Sequence, residues 1–309
     1  MKYQFYQLTF PYGVRFGSGS PDGAQNTFCA DTLFSALCME AARQGEPVLE
    51  TFARYVQEDR LRFSDAFPFL DGQYFIPKPM LSAERRAGDR GDSQIKKAYK
   101  KLKYIPAGSL DAWRNGEYSP EAAQALEDLG SFQTKTAAAV RGLEASMPYR
   151  VRFFRFQENG GLYLLCGYEK EDEKQLFEAL LEALSFSGIG GKRSSGLGRF
   201  RCRKAPADPA YLKRLEAPAG KWMTLSVSLP EEEEMKQVLD GADYLLVRRG
   251  GFVASERYAS EWSRKKDAYL FAAGSCFACR YRGQVLDVSA GGAHPVYRYA
   301  KPIFLGVDL

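Results

Sequence analysis

Lys192 and Arg193 sit inside the run Gly188-Ile189-Gly190-Gly191-Lys192-Arg193-Ser194-Ser195-Gly196-Leu197-Gly198-Arg199-Phe200, which places five glycines in eleven residues. Glycines let a backbone approach a bulky ligand and expose its N–H groups. Two cations and two hydroxyl donors at the centre complete a set suited to a phosphate backbone. A Walker loop would need Gly-Lys followed by Ser or Thr and then a helix, but here Arg193 follows and the chain runs into a strand. A dinucleotide fingerprint would need the strand first and the helix second, the reverse of the order here. A mobile basic linker is the plain alternative, and two symmetric Gly-x-Gly pairs speak against it.

Other reactive residues are few. His294 is the only histidine, whereas RNA cleavage by 2′-hydroxyl attack uses a histidine base with a second acid or base. Its position before Pro295 suits a structural role. Asp22 fits a Pro-Asp-Gly turn, and Asp31 or Thr32 fits a helix cap. The six cysteines are Cys29, Cys38, Cys166, Cys202, Cys276 and Cys279, mostly inside apolar runs, as reduced buried thiols are. Cys276 and Cys279 form one CxxC, but no second pair follows to complete a four-ligand zinc site. No catalytic residue, metal site or cofactor is expected.

The elements that must position the loop are legible around it. Tyr3 to Phe16 is rich in aromatic and β-branched residues and predicts a strand, ending in the flexible Gly17-Ser18-Gly19-Ser20-Pro21-Asp22-Gly23. Leu33, Phe34, Leu37, Cys38 and Ala41 recur at helical spacing. Ile76-Pro77-Lys78-Pro79 is extended, since proline excludes helix there. Residues 80–146 read as an insertion with a short helix over Ser119–Leu129, where Pro120 fits the first turn. Tyr149–Phe156 alternates Arg150, Arg152 and Arg155 with Val151, Phe153 and Phe156, slipping once near Phe154. Glu158-Asn159-Gly160-Gly161 predicts a hairpin turn into a strand over Leu162–Tyr168. Glu171–Phe186 is a helix with Leu176, Phe177, Leu180, Leu181 and Leu184 on one face. After the loop, a strand carries Phe200 and Cys202 on one side and Arg199, Arg201 and Arg203 on the other.

The order β-α-insertion-β-β-α-loop-β predicts an α+β fold whose first domain, residues 1–210, is ferredoxin-like, the architecture of RNA-recognition motifs. The aromatic signature on the third strand of such motifs is absent, so base stacking on the sheet is not implied. Pro206, Pro209 and Pro218 mark Ala205–Gly220 as a connection. Residues 211–309 start again with a strand over Trp222–Leu229, a helix over Pro230–Leu239 and a strand at Tyr244–Val247. Hairpin-like strands near 269–271, 276–281 and 285–288 and a last one at 302–307 suggest a second, degenerate ferredoxin-like domain.

The chain has 309 residues, 45% hydrophobic and 26% charged, with a net charge of +5, the composition of a globular protein. No apolar run reaches the roughly 18 residues that span a bilayer. Met1–Phe5 lacks the features of a signal peptide, so the cytoplasm is the expected compartment. The charge is sorted. Residues 192–204 hold six cations and no acid, residues 85–103 hold eight cations against Asp89 and Asp92, and Glu231–Glu234 is an acidic block elsewhere.

The run Gly188–Gly198 fits Gly-h-Gly-x5-Gly-h-Gly (h apolar), and on that motif the chain resembles the RAMP superfamily of CRISPR-associated proteins. Phe16-Gly17-Ser18-Gly19, Ile76-Pro77-Lys78-Pro79, Gly190–Phe200 and His294-Pro295-Val296-Tyr297-Arg298-Tyr299-Ala300-Lys301-Pro302 together resemble, more narrowly, the fourth-named subunit of the type III-A (Csm) CRISPR effector, over nearly the whole chain.

That resemblance implies a non-catalytic, RNA-binding structural subunit in antiviral defence. It implies a cap on the 5′ tag of the CRISPR RNA, with the large signalling subunit and the adjacent backbone RAMP subunit as neighbours and no membrane or small-molecule substrate. A hairpin-like thumb from the insertion would push between bases, and the basic segment from Arg85 to Arg141 is its candidate. Lys192, Arg193, Ser194 and Ser195 are the expected tag contacts, within the Gly190, Gly191 and Gly196 framework and with Gly17, Ser18, Gly19 and Ser20 nearby. Arg199, Lys78 and Arg141 are further candidates, each equally readable as exposed charge. The alternative is a guide-processing RAMP endoribonuclease using His294.

Overall fold

The computed structural model describes residues 1–17, 23–81, 97, 99, 101–139, 147–255 and 257–308. Ser18, Gly19, Ser20 and Arg141, with Asp22 and most of the basic segment 85–103, lie outside the described residues.

The first strand, β1 (Lys2–Thr9), is followed by α1 (Ala30–Gln44) and α2 (Glu46–Gln57). Short strands β2 (Leu61–Phe63), β3 (Phe67–Leu70), β4 (Gln73–Pro77) and β5 (Tyr104–Pro106) come next, then α3 (Leu110–Arg114) and a 3-10 turn over Pro120–Leu129. Strands β6 (Gly130–Ala139), β7 (Met147–Phe156) and β8 (Gly160–Tyr168) lead into α4 (Glu171–Ser187), after which the glycine run precedes β9 (Arg201–Ala205). The second half holds α5 (Pro209–Glu216), β10 (Trp222–Thr224), α6 (Glu232–Leu239), β11 (Leu246–Arg249), β12 (Ala268–Phe271), β13 (Cys276–Phe277), β14 (Gln284–Asp287), β15 (Tyr297–Ala300) and β16 (Phe304–Gly306).

The main sheet runs β5-β4-β3-β8-β1-β9, with β2 also on β8. β1 is antiparallel to both β8 and β9, so the two β-α units interleave around the centre of the sheet. β8 is buried along its whole length. Its Leu162, Leu164 and Cys166 face the apolar stripes of α1 (Leu33, Phe34, Leu37) and α4 (Phe177, Leu180, Leu181, Leu184). Tyr163 and Leu165 join a second core with Phe5, Tyr211, Leu215, Met223 and Leu305. Both faces of the sheet are therefore covered, one by helices and the other by residues 104–118 and the second half.

Four expectations change. The expected hairpin between 149–156 and 162–168 does not form. Gly160 N–H does close a turn on Gln157 O at 3.1 Å, but β7 pairs in register with β6 over ten residues, from Gly130↔Phe156 to Ala139↔Met147. A strand exposing Arg150, Arg152 and Arg155 cannot enter a sheet covered on both faces without burying unpaired charge. It forms a two-stranded ribbon instead, and part of the supposed irregular insertion is its partner.

The 205–220 connection contains a helix. Asp208 accepts the Ala210 N–H at 2.8 Å and Pro209 takes the first turn, a start signal that the three prolines obscure in the sequence. Tyr211 and Leu215 of that helix are core residues.

The first strand stops at Thr9 rather than at Phe16, because Pro11 has no N–H and Gly13 turns the chain at φ 79°. Asp31 is not a helix cap. Cys29 occupies the cap position without a side-chain bond, and the N–H of Ala30 is satisfied from afar by Asp65 Oδ1 at 2.8 Å.

The cysteines divide. Cys166 and Cys276 are buried and Cys29, Cys38 and Cys279 half-buried, while Cys202 is exposed. β9 lies at the sheet edge, so Arg201, Cys202, Arg203 and Lys204 all reach the surface.

The two halves are knitted along α1. Asp31, inside that helix, is held by Arg249 at 2.7 and 2.9 Å and by Arg298 at 3.1 Å. Asp65 Oδ1 also accepts the Val227 N–H at 3.0 Å. The Tyr299 ring stacks on Phe63 at 4.3 Å, and its hydroxyl bonds both the N–H and the carbonyl of Phe63.

Candidate nucleic-acid interface

The glycine run folds as a neck and a tip. α4 ends where Gly188 N–H reaches Leu184 O at 2.7 Å, and Ile189 N–H then bonds Gly198 O at 3.0 Å. At Gly198, with φ 81°, a Cβ would overlap the Ile189 carbonyl oxygen, so this crossing admits only glycine. Ile189 and Leu197, on either side, are buried. The neck rests on the hook after β1, with Gly191 N–H on Arg15 O at 2.8 Å and Gly198 N–H on Gly13 O at 2.9 Å. A Cβ at Gly190 would meet Arg15 O at 2.7 Å and the Phe16 ring at 2.9 Å.

These contacts revise the expected role of the glycines. Gly190 and Gly198 serve close packing of the protein on itself, and the amides of Gly191 and Gly198 are spent on carbonyls of the hook. The polar groups left facing solvent are at the tip. Lys192 takes the left-handed conformation at φ 62°, and a 3-10 turn over Arg193–Ser195 follows. Ser195 donates its N–H and Oγ to Lys192 O at 3.1 and 2.9 Å, and Gly196 N–H donates to Arg193 O at 2.9 Å. Lys192, Ser194 and Ser195 are exposed, Arg193 and Gly196 half-exposed. A non-glycine residue at positive φ is uncommon and persists where the surroundings enforce it. The Lys192 side chain reaches the ribbon, where Nζ donates to Tyr149 Oη at 2.8 Å and stands 4.5 Å from the centre of the Tyr149 ring.

The ribbon carries cations of its own. Arg152 lies over Phe132 at 4.6 Å and Lys135 near Phe153 at 5.9 Å, while Arg150 and Arg155 are exposed. Its base is anchored where Val14 and Phe154 exchange backbone bonds at 2.8 Å and where Phe156 packs on Phe10. The hook at 13–16 thus touches both the glycine neck and the ribbon, bringing two basic surfaces together. Sequence reasoning misses Tyr149 and the ribbon arginines as candidates. Their Arg-apolar alternation is visible there, but the partner strand is not.

The remaining candidates are scattered. Gly17 is exposed at the end of the hook, with open space around it. Arg199 is exposed next to the neck. Lys78 is elsewhere: it follows β4, which β3, β8 and β1 separate from β9. Its Nζ donates to the Tyr99 carbonyl at 3.0 Å near the Trp113 ring, and burial pulls its pKa down. Of the nearby strand cations, Arg203 is bonded to Gln7 Oε1 at 2.7 Å and Lys204 to Glu178 at 2.9 Å.

His294 holds Ser255 Oγ at 2.8 Å through Nε2 and the Pro295 carbonyl at 2.9 Å through Nδ1, with its ring edge-on to Tyr258. Among the described residues, no three His, Cys, Asp or Glu side chains gather as a metal site, and no helix is long and apolar enough to cross a membrane.

Comparison with known proteins agrees with this architecture. The family model of the CRISPR Csm4 C-terminal domain matches residues 217–307. The CRISPR system Cms protein Csm4 of Mycobacterium tuberculosis (strain CDC 1551 / Oshkosh) is 39% identical over 302 residues, covering 95% of this chain and 94% of that protein. The protein of the same name from Streptococcus thermophilus is 32% identical over 325 residues, covering 100% of both. Among solved structures, the fold matches a chain of a Csm3-Csm4 subcomplex of the type III-A interference complex, with a TM-score of 0.66 at 17% identity over 98% of both chains. It also matches a chain of a Csm1-Csm4 cassette in complex with cA4, with a TM-score of 0.62 at 19% identity over 100% of this chain and 99% of that one. With such identity to curated relatives along its full length, the chain belongs to the Csm4 family.

Proposed function

We propose that this chain is the non-catalytic subunit that holds the 5′ tag of the CRISPR RNA in a type III-A effector in the cytoplasm, between a large Csm1-type subunit and a Csm3-type backbone subunit. The observation that carries this reading is the Lys192–Ser195 tip, raised on a neck that glycine packing makes rigid and set against a basic, aromatic ribbon. Single-stranded RNA is held by charge along its backbone and by hydroxyl and base-edge contacts, and the tip offers a lysine, an arginine and two serines. Gly17, Ser18, Gly19 and Ser20 continue from the hook that supports the neck, and Arg199 extends the same surface. Arg141 falls between the two ribbon strands in sequence, and in this reading it belongs to the thumb. Lys78 lies apart and is at most a peripheral contact.

In this reading residues 1–210 and 211–309 are two ferredoxin-like domains, the second degenerate, fused along the α1 seam. Binding without cleavage is supported by His294, whose two ring nitrogens are engaged with a serine hydroxyl and a main-chain carbonyl rather than with a second acid or base.

The test is binding of labelled guide RNA to the assembled complex carrying Lys192→Ala and Arg193→Ala. Removing each specific interaction weakens binding by about 1–3 kcal/mol, and the salt dependence flattens. Wild-type affinity and salt slope in the double variant would remove the tip from the RNA site.

A further inference from the structure

The hook after β1 presents one aromatic ring that the protein itself does not use. Gly13 N–H bonds Phe10 O at 3.3 Å, closing a turn over Phe10–Gly13. Pro11 takes the second position of that turn, where its fixed φ is favourable. Phe10 packs inward against Phe16, Phe156 and Phe200. Gly13 lies so close to the ribbon that a Cβ there would meet Phe154 O at 2.7 Å. Its own carbonyl accepts the Gly198 N–H on one side, and Val14 exchanges bonds with Phe154 on the other. The turn is therefore clamped between the glycine neck and the ribbon. It holds Tyr12 outward, 63% exposed.

A single exposed ring needs no explanation in itself. Three observations set Tyr12 apart. The rings exposed on the ribbon are engaged, Tyr149 by Lys192 and Phe132 by Arg152, whereas Tyr12 has no hydrogen bond, ring contact or cation partner among the described residues. The clamp removes backbone freedom that an ordinary loop tyrosine keeps, so ordering the ring against a ligand costs little. Exposed arginines follow both clamping residues: Arg199 after Gly198 and Arg155 after Phe154. Acids are present in this region too, but they belong with β9. Asp71 and Glu158 line a cavity with Thr9, Arg201 and Arg203, and Glu182 acts on Cys202. An unengaged ring on a rigid support, with cations to either side, is the arrangement on which single-stranded nucleic acid stacks its bases.

We propose that Tyr12 is the stacking platform for one unpaired base of the bound RNA, with Arg155 and Arg199 placed for the phosphates that flank that nucleotide. The inference rests on the reading of the Lys192–Ser195 tip as the RNA site and adds to it a contact with the face of a base. Stacking accepts any base, because each has a π face, so Tyr12 fixes the position of a nucleotide rather than its identity.

The experiment measures binding of labelled guide RNA to the assembled protein subunits, using guides in which each tag position in turn lacks its base. Wild type is compared with Tyr12→Ala and Tyr12→Trp, and thermal melts of the three proteins are recorded. Loss of the stacked base is expected to weaken binding about tenfold, both in Tyr12→Ala with the intact guide and in wild type at one abasic position. At that position Tyr12→Ala adds no further loss, and Tyr12→Trp binds the intact guide at least as well as wild type. Unchanged affinity in Tyr12→Ala would overturn the inference. So would a loss that adds in full at every abasic position, the ring then serving a protein neighbour, or a melting temperature lowered by several degrees, the ring then serving the fold. The Lys192→Ala, Arg193→Ala variant separates the two levels. Weakened binding there beside wild-type binding in Tyr12→Ala rejects the stacking alone, whereas wild-type binding in the double variant rejects the RNA site itself.

Discussion

Tyr149 and Lys192, 43 residues apart in sequence, meet through a 2.8 Å hydrogen bond and a ring face 4.5 Å from the ammonium. The ribbon thereby fixes the direction of the loop's leading cation before any ligand arrives. Removing that preorganisation costs affinity without removing a charge. Tyr149→Ala is expected to weaken guide-RNA binding about threefold to tenfold, since an exposed cation–π contact is worth about 0.5–1 kcal/mol and the hydrogen bond adds a similar amount. Tyr149→Phe keeps the ring and falls between. Filter binding with the assembled complex checks the series, and equal affinity in all three proteins would sink the coupling.

The neck predicts a contrast between two glycines. At Gly198 the positive φ combines with overlap on the Ile189 carbonyl, whereas Gly17 has neither restraint. Gly198→Ala is expected to destabilise the fold by roughly 2–4 kcal/mol, the strain and the clash adding. Gly17→Ala stays within about 0.5 kcal/mol of wild type. Urea midpoints of the two variants measure the difference.

Asp31 gives a third expectation. Its carboxylate is buried and so is the Arg298 side chain it pairs with, while Arg249 closes the other side. Breaking a buried pair strands the remaining charges, here two guanidinium groups, at about 3–5 kcal/mol. Asp31→Ala should therefore lower the urea midpoint far more than Asp287→Ala, whose carboxylate is exposed and caps a turn at Ser289. Comparable midpoints would show that the seam is not held by these charges.

Asp65 titrates near neutrality. Burial pushes its carboxyl up to about 7, against the pull of the N–H groups of Ala30 and Val227. Its folded pKa lies above the unfolded one, so between about pH 4 and 7 the folded protein holds a proton that the unfolded chain releases. The Asp65 contribution to stability accordingly falls as pH rises through that window and levels off above it. Asp65→Asn keeps an acceptor for both N–H groups and removes the titration. Its urea midpoint should decline less than wild type between pH 5 and 8, and parallel declines would disprove the assignment.

The fold is most legible in the sequence where one periodicity acts alone. The leucines of α4 recur every three or four positions and mark its end to within a residue, and the glycine run falls between helix and strand as its flanks indicate. Non-local pairing is less legible. Nothing near Gln133 or Lys135 indicates that an alanine-rich polar stretch pairs with Val151–Phe153, because a ladder partner leaves no local trace beyond a weak strand propensity. The glycine run reads as a ligand cradle, yet Gly190 and Gly198 pack on Phe16 and Ile189, and sequence alone cannot tell what approaches a glycine. Asp31 reads as a cap because its true partners, Arg249 and Arg298, are more than two hundred residues away.

Strand β15 has a consequence for synthesis. Tyr299 and Ala300 belong to the principal apolar core beside Phe34 and Phe63, and the ammonium of Lys301 closes on the carboxylate of Asp59. A polypeptide emerging amino end first therefore cannot complete its earliest helices' packing until residues 299–301 have left the ribosome. Until then the helix stripe of Leu33 and Phe34 lacks its lid, and the nascent chain exposes to chaperones and proteases a surface that the finished subunit hides.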